Sequence, residues 1–268
     1  MKNTFGFIGT GNMGGALAEA AAKAMPSENI CLSNRTAAKA EALANRLGCR
    51  TASVEDTAAS CSFLFLGVKP QQMGALLADL SPALAERKDE FVLVSMAAGL
   101  TMERIQAMAG GNYPVIRIMP NTPCAVGAGM IPFDCTDNVT QETLTLFLDG
   151  MRFAGIFDRL PENLIDAASA VAGCGPAYAA MFLEALADGG VACGLPRQKA
   201  LLYASQMLLG TAKLALETGK HPGQLKDAVC SPGGSTIAGV KALEDGAFRS
   251  AVMNAVKNAW KRNQELGK

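Results

Sequence analysis

The sequence of 268 residues has only one histidine, His221, and no excess of charge, with 24 basic residues against 24 acidic ones. A balanced charge argues against a nucleic-acid-binding protein and against binding to an anionic membrane surface. The eight cysteines form no CxxC pair and no Cys/His cluster, so neither a metal site nor a disulfide framework is predicted. They are typical of free buried thiols in a reducing cytoplasm. His221 lies in Lys-His-Pro, a context more typical of a surface turn than of a catalytic base.

Membrane and export signals are also weak. The first residues, MKNTFGFIGTG, form a short apolar run interrupted by glycine, unlike the apolar core of a signal peptide. The apolar stretch 167–183 contains Gly173-Cys174-Gly175-Pro176, which we expect to break a membrane span. The sequence therefore predicts a soluble cytoplasmic protein.

The first half of the chain alternates short apolar runs with stretches of helical composition. The runs lie at 4–8, 30–34, 63–68, 91–96 and 115–119. Continuous apolar strands separated by helices predict a parallel sheet covered on both faces. Right-handed crossovers would give this sheet a doubly wound, Rossmann-type topology.

Beyond about residue 160 the strand patterns stop. Helices are predicted over 164–188, 198–218 and 236–266, with breaks at Gly189-Gly190, at 221–223 and at Gly246. The predicted fold class is thus α/β, with a dinucleotide-binding domain at 1–160 and an all-α domain at 161–268. The second domain is rich in alanine, glycine and methionine, so we expect its apolar surface to be covered by a second copy of the chain.

A glycine-rich loop follows the first predicted strand and opens a helix. In this context Gly9-x-Gly11-x-x-Gly14 is typical of dinucleotide binding, because it gives a tight turn, close approach to a pyrophosphate and close packing of helix on strand. Helix amides and the helix dipole would hold the phosphates. The candidate cofactor-binding residues of this loop are Gly9, Thr10, Gly11, Asn12, Met13 and Gly14.

The second strand ends in Ser33-Asn34-Arg35 rather than in the acid that would bind a ribose 2′-hydroxyl. A hydroxyl, an amide and a guanidinium suit a 2′-phosphate, so NADPH is favoured and NADH remains open. Two further loops follow predicted strands and add candidate cofactor contacts. They are Val68, Lys69 and Pro70 in one loop and Ala97 and Ala98 in the other.

Six motifs spread over nearly the whole chain carry a resemblance. GFIGTGNMG, LFLGVKP, SMAAGLT, RIMPNTP, GCGPAYAAMFLEALADGGVACGLPR and SPGGSTIAGV resemble the pyrroline-5-carboxylate reductase family. The resemblance implies NAD(P)H-dependent reduction of the cyclic imine 1-pyrroline-5-carboxylate to L-proline. It also implies a homodimer with interlocked helical domains, in many members assembled into a larger ring.

By position, the resemblance places cofactor contacts in the loops already named and substrate contacts near the end of the chain. It implies substrate contacts at Ser231, Gly233, Gly234, Ser235 and Thr236, with Glu162 as an acid near the substrate. The pattern departs at Val54 and Ala228, where some members carry asparagine near the cofactor.

The stretch SPGGSTIAG, 231–239, has two interpretations. Its glycine amides at a helix start could bind the ring carboxylate, with the Thr236 hydroxyl meeting the ring nitrogen as the candidate catalytic group. Hydride transfer to an iminium needs placement more than a dedicated acid or base. Alternatively Ser231 or Ser235 simply caps the helix.

Two other functions remain open at the level of sequence. A β-hydroxyacid dehydrogenase shares the fold, but its pattern has a lysine four residues after a Gly-x-Gly and an asparagine four further on. Here Gly173-Cys174-Gly175 leads to Ala179 and Leu183, which leaves that chemistry without its acid–base group. A non-catalytic NADPH-binding regulatory protein would show the same fold and cofactor loop.

Overall fold

The computed structural model describes residues 2–266. An eight-stranded sheet is followed by a series of helices. The strands are β1 (Phe5–Ile8), β2 (Ile30–Ser33), β3 (Arg50–Thr51), β4 (Phe63–Leu66), β5 (Val92–Ser95), β6 (Val115–Ile118), β7 (Gly129–Cys135) and β8 (Gly155–Arg159). The helices are α1 (Asn12–Ala24), α2 (Ala37–Leu47), α3 (Val54–Ser60), α4 (Pro70–Glu86), α5 (Met102–Ala109), α6 (Gln141–Met151), α7 (Glu162–Ala168), α8 (Gly175–Ala192), α9 (Arg197–Thr218), α10 (Pro222–Ala228), α11 (Ser235–Asp245) and α12 (Phe248–Leu266).

The strand order is β3-β2-β1-β4-β5-β6-β7-β8. The first six strands in this order run parallel, as a doubly wound fold requires. The five strands predicted from the sequence all lie in this parallel part, as expected. Two unpredicted strands extend the sheet at one edge, where β7 pairs antiparallel with β6 and β8 runs parallel to β7. The connection over 119–128 is too short for the helical crossover that a parallel pair needs.

Both faces of the parallel part are covered, as predicted. Phe5 and Phe7 of β1 point to one face, where they contact Phe63 and Phe65 of β4 at ring-centroid distances of 4.9 and 4.3 Å. Ile8, Leu64 and Leu66 lie in a second buried cluster. Strands buried on both faces explain why their sequence shows continuous apolar runs rather than alternation.

The helix predicted over 164–188 runs through Gly173-Cys174-Gly175-Pro176, which were expected to break the apolar stretch as a membrane span. Residues 169–173 form a π-helical turn between α7 and α8, in which the Cys174 amide donates to the Ser169 carbonyl over 2.9 Å. Pro176 has no amide to donate to the carbonyl of Ala172, and the Asn121 side chain supplies that donor at 3.0 Å. The proline is therefore tolerated because a buried amide from another element satisfies the orphaned carbonyl.

This continuity makes 162–192 a helical run that is long and apolar enough to cross a membrane by length and composition. A single run of this kind is weak support for a membrane protein, since a core helix of a soluble protein passes the same test.

The predicted break at Gly189-Gly190 is also wrong, because both glycines lie inside α8. A glycine inside a helix costs only about 1 kcal/mol relative to alanine. A Cβ on Gly190 would lie 3.2 Å from the Cβ of Ala200, so the glycine lets α8 and α9 approach closely. The breaks near 221 and at Gly246 are confirmed, although Pro222 and Gly223 form the first turn of α10.

The chain divides into two compact units. One comprises residues up to Cys174 together with those from Ala259 onward, and the other comprises Gly175–Asn258. The first contains the whole sheet. The second contains α8 to α11 and most of α12, and few of its large apolar side chains are buried.

The eight cysteines are free thiols, but the prediction that they are buried holds for only four of them, and Cys193 is exposed. Cys31 and Cys61 form a buried pair beside Arg50, whose Nη2 donates to the Cys61 Sγ over 3.6 Å. The hydrogen bond between the two thiols lowers the pKa of Cys31 to about 6 and raises that of Cys61. Burial raises the pKa of Cys124 and Cys135, so these two behave as inert apolar side chains.

Candidate active site

The glycine-rich loop lies where β1 ends and α1 begins, and it is tied to the end of β2. The Gly9 amide donates to the Ser33 carbonyl over 2.8 Å, and the Thr10 amide donates to Asn34 Oδ1 over 3.2 Å. Gly11 is the N-cap of α1 and no side chain caps this helix. The first amides of α1 are therefore available to an anion, and the helix dipole favours one there.

Two glycines of this loop are required for different reasons. Gly14 is buried, and a Cβ there would overlap the carbonyl oxygen of Gly9, so close packing of α1 on the loop demands glycine. Gly11 is exposed, and a Cβ there would meet no protein atom within 4 Å. Among residues 2–266 no contact requires glycine at Gly11, and a glycine there would allow a ligand to approach the backbone closely.

Two buried hydroxyls near this loop find no partner among the residues that the structure describes. They are Thr10 Oγ1 and Ser33 Oγ. A buried hydroxyl without a partner costs free energy, and such groups mark places where a ligand or water completes the network. Both residues are among the predicted cofactor contacts, so the donor and acceptor set fits a dinucleotide phosphate.

Arg35 lies directly after Asn34 beyond the end of β2 and is exposed. Within residues 2–266 its guanidinium has neither an ion pair nor a hydrogen bond to a side chain. The Asn34 side chain makes two hydrogen bonds. Its Nδ2 donates to the Thr36 carbonyl over 3.1 Å, and its Oδ1 accepts from the Thr10 amide. Asn34 is thus a connector between the two loops, while Arg35 remains free to bind a phosphate.

The other two predicted cofactor loops also lie at carboxyl ends of parallel strands. Pro70 is the first residue of α4, Lys69 is its N-cap, and no side chain caps this helix either. Ala97 is buried, and its amide donates to Ser95 Oγ over 3.4 Å. Val68 and Ala98 are half-buried beside them. Both loops thus follow the carboxyl ends of parallel strands, as predicted, and this is the edge at which such sheets bind ligands.

Among the glycine-loop side chains, Met13 is half-buried and packs against the main core cluster, and Asn12 is exposed. An open groove of about 530 Å³ borders the loop on the side of α1 and α2. Thr10, Gly11 and Asn12 line one end of it. The backbone of the loop is thus accessible from outside.

Glu162, the predicted substrate-neighbouring acid, is the first residue of α7 and is engaged within the sheet unit. Its Oε1 accepts from the Met102 amide at 2.7 Å and from Arg117 Nη1 at 3.3 Å. Arg117 is 2% exposed and also donates from Nη2 to Asp166 Oδ1 over 2.6 Å. Neither Arg117 nor Asp166 is among the site residues predicted from the sequence. The only signal for Arg117 was a charge in the otherwise apolar strand VIRIM.

The SPGGSTIAG stretch forms a tight turn followed by α11. The Gly234 amide donates to the Ser231 carbonyl over 3.0 Å, with Pro232 and Gly233 at the central positions. Gly233 has φ +67°, which this type of turn requires at its third residue and which glycine adopts without strain. Gly234 is the N-cap of α11, and Ser235 and Thr236 are its first residues.

No side chain caps α11, so the interpretation in which Ser231 or Ser235 caps this helix is wrong. The residues of this loop are exposed, except for the half-buried Gly234. Uncapped amides at a helix start, open space around Gly233 and the hydroxyls of Ser235 and Thr236 are groups that could bind an anion.

His221 is a helix cap. Its Nδ1 accepts from the Gly223 amide at 3.1 Å, and its own amide donates to Gln224 Oε1 at 3.2 Å. The two bonds form a capping box at the start of α10. This explains the histidine without catalysis. Of the two departures from the family pattern, Val54 is the first residue of α3 and Ala228 is the last of α10.

Comparisons with known proteins match this arrangement. Residues 4–99 match the family model described as NADP oxidoreductase coenzyme F420-dependent, and residues 162–266 match that for pyrroline-5-carboxylate reductase dimerisation. The match to the dimerisation model indicates that this chain forms a homo-oligomer.

Relatives and solved structures cover almost the whole chain. The pyrroline-5-carboxylate reductase of Pisum sativum is 41% identical over 98% of this chain and 96% of its own. That of Escherichia coli is 39% identical over 100% of both chains. The NADP-bound crystal structure of Plasmodium falciparum pyrroline carboxylate reductase is 32% identical, with a TM-score of 0.89 over 99% of this chain and 98% of that one.

Full-length identity at this level decides against the β-hydroxyacid dehydrogenase alternative. The cofactor loop, the uncapped helix start at 234–236 and the dimerisation region are all present. This chain therefore belongs to the pyrroline-5-carboxylate reductase family.

Proposed function

We propose that this protein transfers hydride to the imine carbon of 1-pyrroline-5-carboxylate and so produces L-proline, the last step of proline biosynthesis. The hydride comes from NADPH, which leaves as NADP⁺; NADH could serve in its place. The substrate reacts as its protonated iminium, so the C=N π electrons pass to the ring nitrogen, which keeps its proton and becomes the amine of proline. The observation that carries this proposal is the uncapped, glycine-rich start of α11 in a chain that also has a complete dinucleotide loop.

The start of α11 binds the ring carboxylate in this proposal. The amides of Gly233 and Ser235 would donate to it, and the positive end of the helix dipole favours the charge. Gly233 has open space around it, so the carboxylate meets no Cβ. The Gly234 amide closes the turn onto the Ser231 carbonyl, and Ser231 Oγ lies close to Gly234, where the substrate would approach.

Thr236 is the candidate catalytic group. Its hydroxyl lies in the first turn of α11, two residues beyond the N-cap, and is exposed. A hydroxyl can orient the ring nitrogen by a hydrogen bond, and an iminium needs no further activation. Glu162 remains a proposed neighbour of the substrate. Because its Oε1 is occupied by Met102 and Arg117, only Oε2 could take part.

The cofactor contacts follow from the sheet edge. We infer that the first amides of α1 and the Thr10 and Ser33 hydroxyls hold the phosphates, and that Arg35 reads the 2′-phosphate. Residues 68–70 and 97–98 would flank the nicotinamide half. NADPH supplies the hydride, and these residues would do no more than place it.

We further propose that the helical domains of two chains interlock and that such dimers can build a larger ring. The support is the exposure of large apolar side chains on α8 and α9, among them Met181 at 70%, Leu209 at 64% and Leu216 at 79%. Apolar surface of this extent needs a partner. A cytoplasmic location agrees with the free cysteines, since the cytoplasm keeps thiols reduced.

An activity assay tests the proposed reaction directly. We expect the purified protein to oxidise NADPH when 1-pyrroline-5-carboxylate is added, and to form proline in equal amount. With an open-chain 3-hydroxy acid and NADP⁺ we expect no turnover, since that reaction needs an acid–base group. Equal turnover of the hydroxy acid, or NADPH binding without any turnover of the imine, would refute the proposal.

Cofactor choice provides a second prediction. Arg35→Asp should raise KM for NADPH about 10- to 150-fold, because a charge-assisted hydrogen bond contributes roughly 1.5–3 kcal/mol and the new carboxylate repels a 2′-phosphate. KM for NADH should change far less. Steady-state kinetics with both cofactors measure this, and Lys88→Asp, at an exposed position between α4 and β5, serves as the control for a general change in charge. If both cofactors lose affinity equally, Arg35 does not read the phosphate.

A further inference from the structure

We propose that Arg117 is a positioning residue for the hydride transfer. By holding the Glu162 carboxylate against the first amide of α5, it fixes the loop 96–101 that carries two of the proposed nicotinamide contacts. This inference rests on the proposed function, but the loop and its anchors are described by contacts within the sheet unit alone.

Arg117 is a buried cation between two carboxylates of α7. Its side chain is 2% exposed, whereas Glu162 and Asp166 are 24% and 22% exposed. Removing one partner of a buried ion pair is costly because the other charge is left uncompensated. Asp134 Oδ2 also accepts from the Glu162 amide at 2.9 Å, so backbone and side chain of Glu162 are both held.

The same Glu162 oxygen that meets Arg117 accepts from Met102, the first residue of α5. An acidic side chain at this point is favoured by the helix dipole and satisfies an amide that has no partner within the helix. The next part of the cap comes from Thr101, whose Oγ1 accepts from the Arg104 amide at 3.3 Å. The far end of the loop is thus anchored from α7.

The near end of the loop is anchored on the neighbouring strand. Ser95, the last residue of β5, pairs in register with Arg117 on β6, and its Oγ accepts from the Ala97 amide at 3.4 Å. Arg117 is therefore linked to both ends of the loop. At the near end its backbone pairs in register with Ser95, and at the far end its guanidinium binds the Glu162 carboxylate that holds the Met102 amide. Ala97 and Ala98 lie between them.

A small displacement of a bound reactant affects the rate of transfer more than its affinity. A shift of about 1 Å can lower a rate about 100-fold, whereas the adenosine half of the cofactor would still be held by the glycine loop and Arg35. Loss of Arg117 should therefore lower kcat while KM for NADPH changes little. A role in stability alone would instead lower activity in proportion to the folded fraction.

The test compares Arg117→Met and Arg117→Lys with a matched buried arginine, Arg87. The Arg87 guanidinium donates to the carbonyls of Ala58 and Cys61 and pairs with Asp89, and its side chain is 3% exposed, but it lies beyond the amino end of β5. We expect Arg117→Met to lower kcat about 10- to 100-fold, with KM for NADPH within about threefold of wild type. Arg117→Lys should recover part of kcat, and Arg87→Met should lower Tm without lowering kcat.

Amide hydrogen exchange of the cofactor-free protein gives a readout independent of activity. The amides of 97–104 should exchange at least about tenfold faster in Arg117→Met than in wild type. In Arg87→Met their exchange rates should equal those of wild type. Unchanged exchange of this segment in Arg117→Met would overturn the proposal. So would a loss of kcat/KM in Arg117→Met that comes from a higher KM for NADPH, or a loss of kcat in Arg87→Met as large as that in Arg117→Met. If Arg117→Met fails to fold, Arg117→Lys decides by the same measurements. Absence of turnover in the wild type would refute the proposed function, while the exchange result would still test the loop anchor.

Discussion

Gly14→Ala should unfold the dinucleotide site, lowering Tm by about 6–12 °C and NADPH affinity more than about 100-fold. A Cβ at Gly14 would overlap the carbonyl oxygen of Gly9, which belongs to the backbone and cannot move aside like a flexible side chain. Forced overpacking costs roughly 3 kcal/mol, and each kcal/mol shifts Tm by about 2–4 °C in a protein of this size. Thermal unfolding and NADPH titration measure the two effects.

Two neighbouring glycines are the controls. A Cβ on Gly15 would lie 3.7 Å from Leu43 Cδ2, an ordinary contact, so Gly15→Ala should keep or slightly raise Tm because alanine favours the helix. Gly11→Ala should keep Tm but lower NADPH affinity about 10- to 150-fold, since its methyl group meets only the ligand. If Gly11→Ala binds NADPH normally, the pyrophosphate does not lie on this loop.

Gly233→Val should lower kcat/KM for 1-pyrroline-5-carboxylate by about 100-fold or more. Gly233 has φ +67°, and a β-branched residue there is strongly disfavoured, so the turn that presents the amides would be lost. The valine side chain would also occupy the open space proposed for the carboxylate. KM for NADPH should stay near its wild-type value, because the glycine loop is unchanged.

Gly219→Val is a matched control for this change. Gly219 has φ +62°, likewise has no neighbour within 4 Å of a Cβ, and ends α9. Both variants should lose about 1–3 kcal/mol of stability from backbone strain. Only Gly233→Val should lose activity toward the imine. If Gly233→Val and Gly219→Val lose activity equally at the same Tm, the substrate carboxylate does not bind at Gly233.

Much of the sheet unit could be predicted from local patterns. Apolar runs of four to six residues separated by helical stretches predict parallel strands buried on both faces, and glycines directly after the first strand predict a phosphate loop. These signals are local because backbone dihedrals and burial act on neighbouring residues. The antiparallel β7 escaped prediction, since its direction depends on the length of a connection rather than on its own residues.

The sequence by itself determined the fold class and the family, and it predicts the cofactor loop and the preference of Ser33-Asn34-Arg35 for a 2′-phosphate. Only the tertiary structure shows how the helix tolerates Pro176, because the missing amide is replaced by Asn121, 55 residues earlier in the chain. Likewise only the structure brought Arg117 of β6, Glu162 of α7 and the first amide of α5 together. Such contacts depend on the packing of distant elements and leave no periodic signal in the sequence, so a buried charge acquires a role only once its partners are in place.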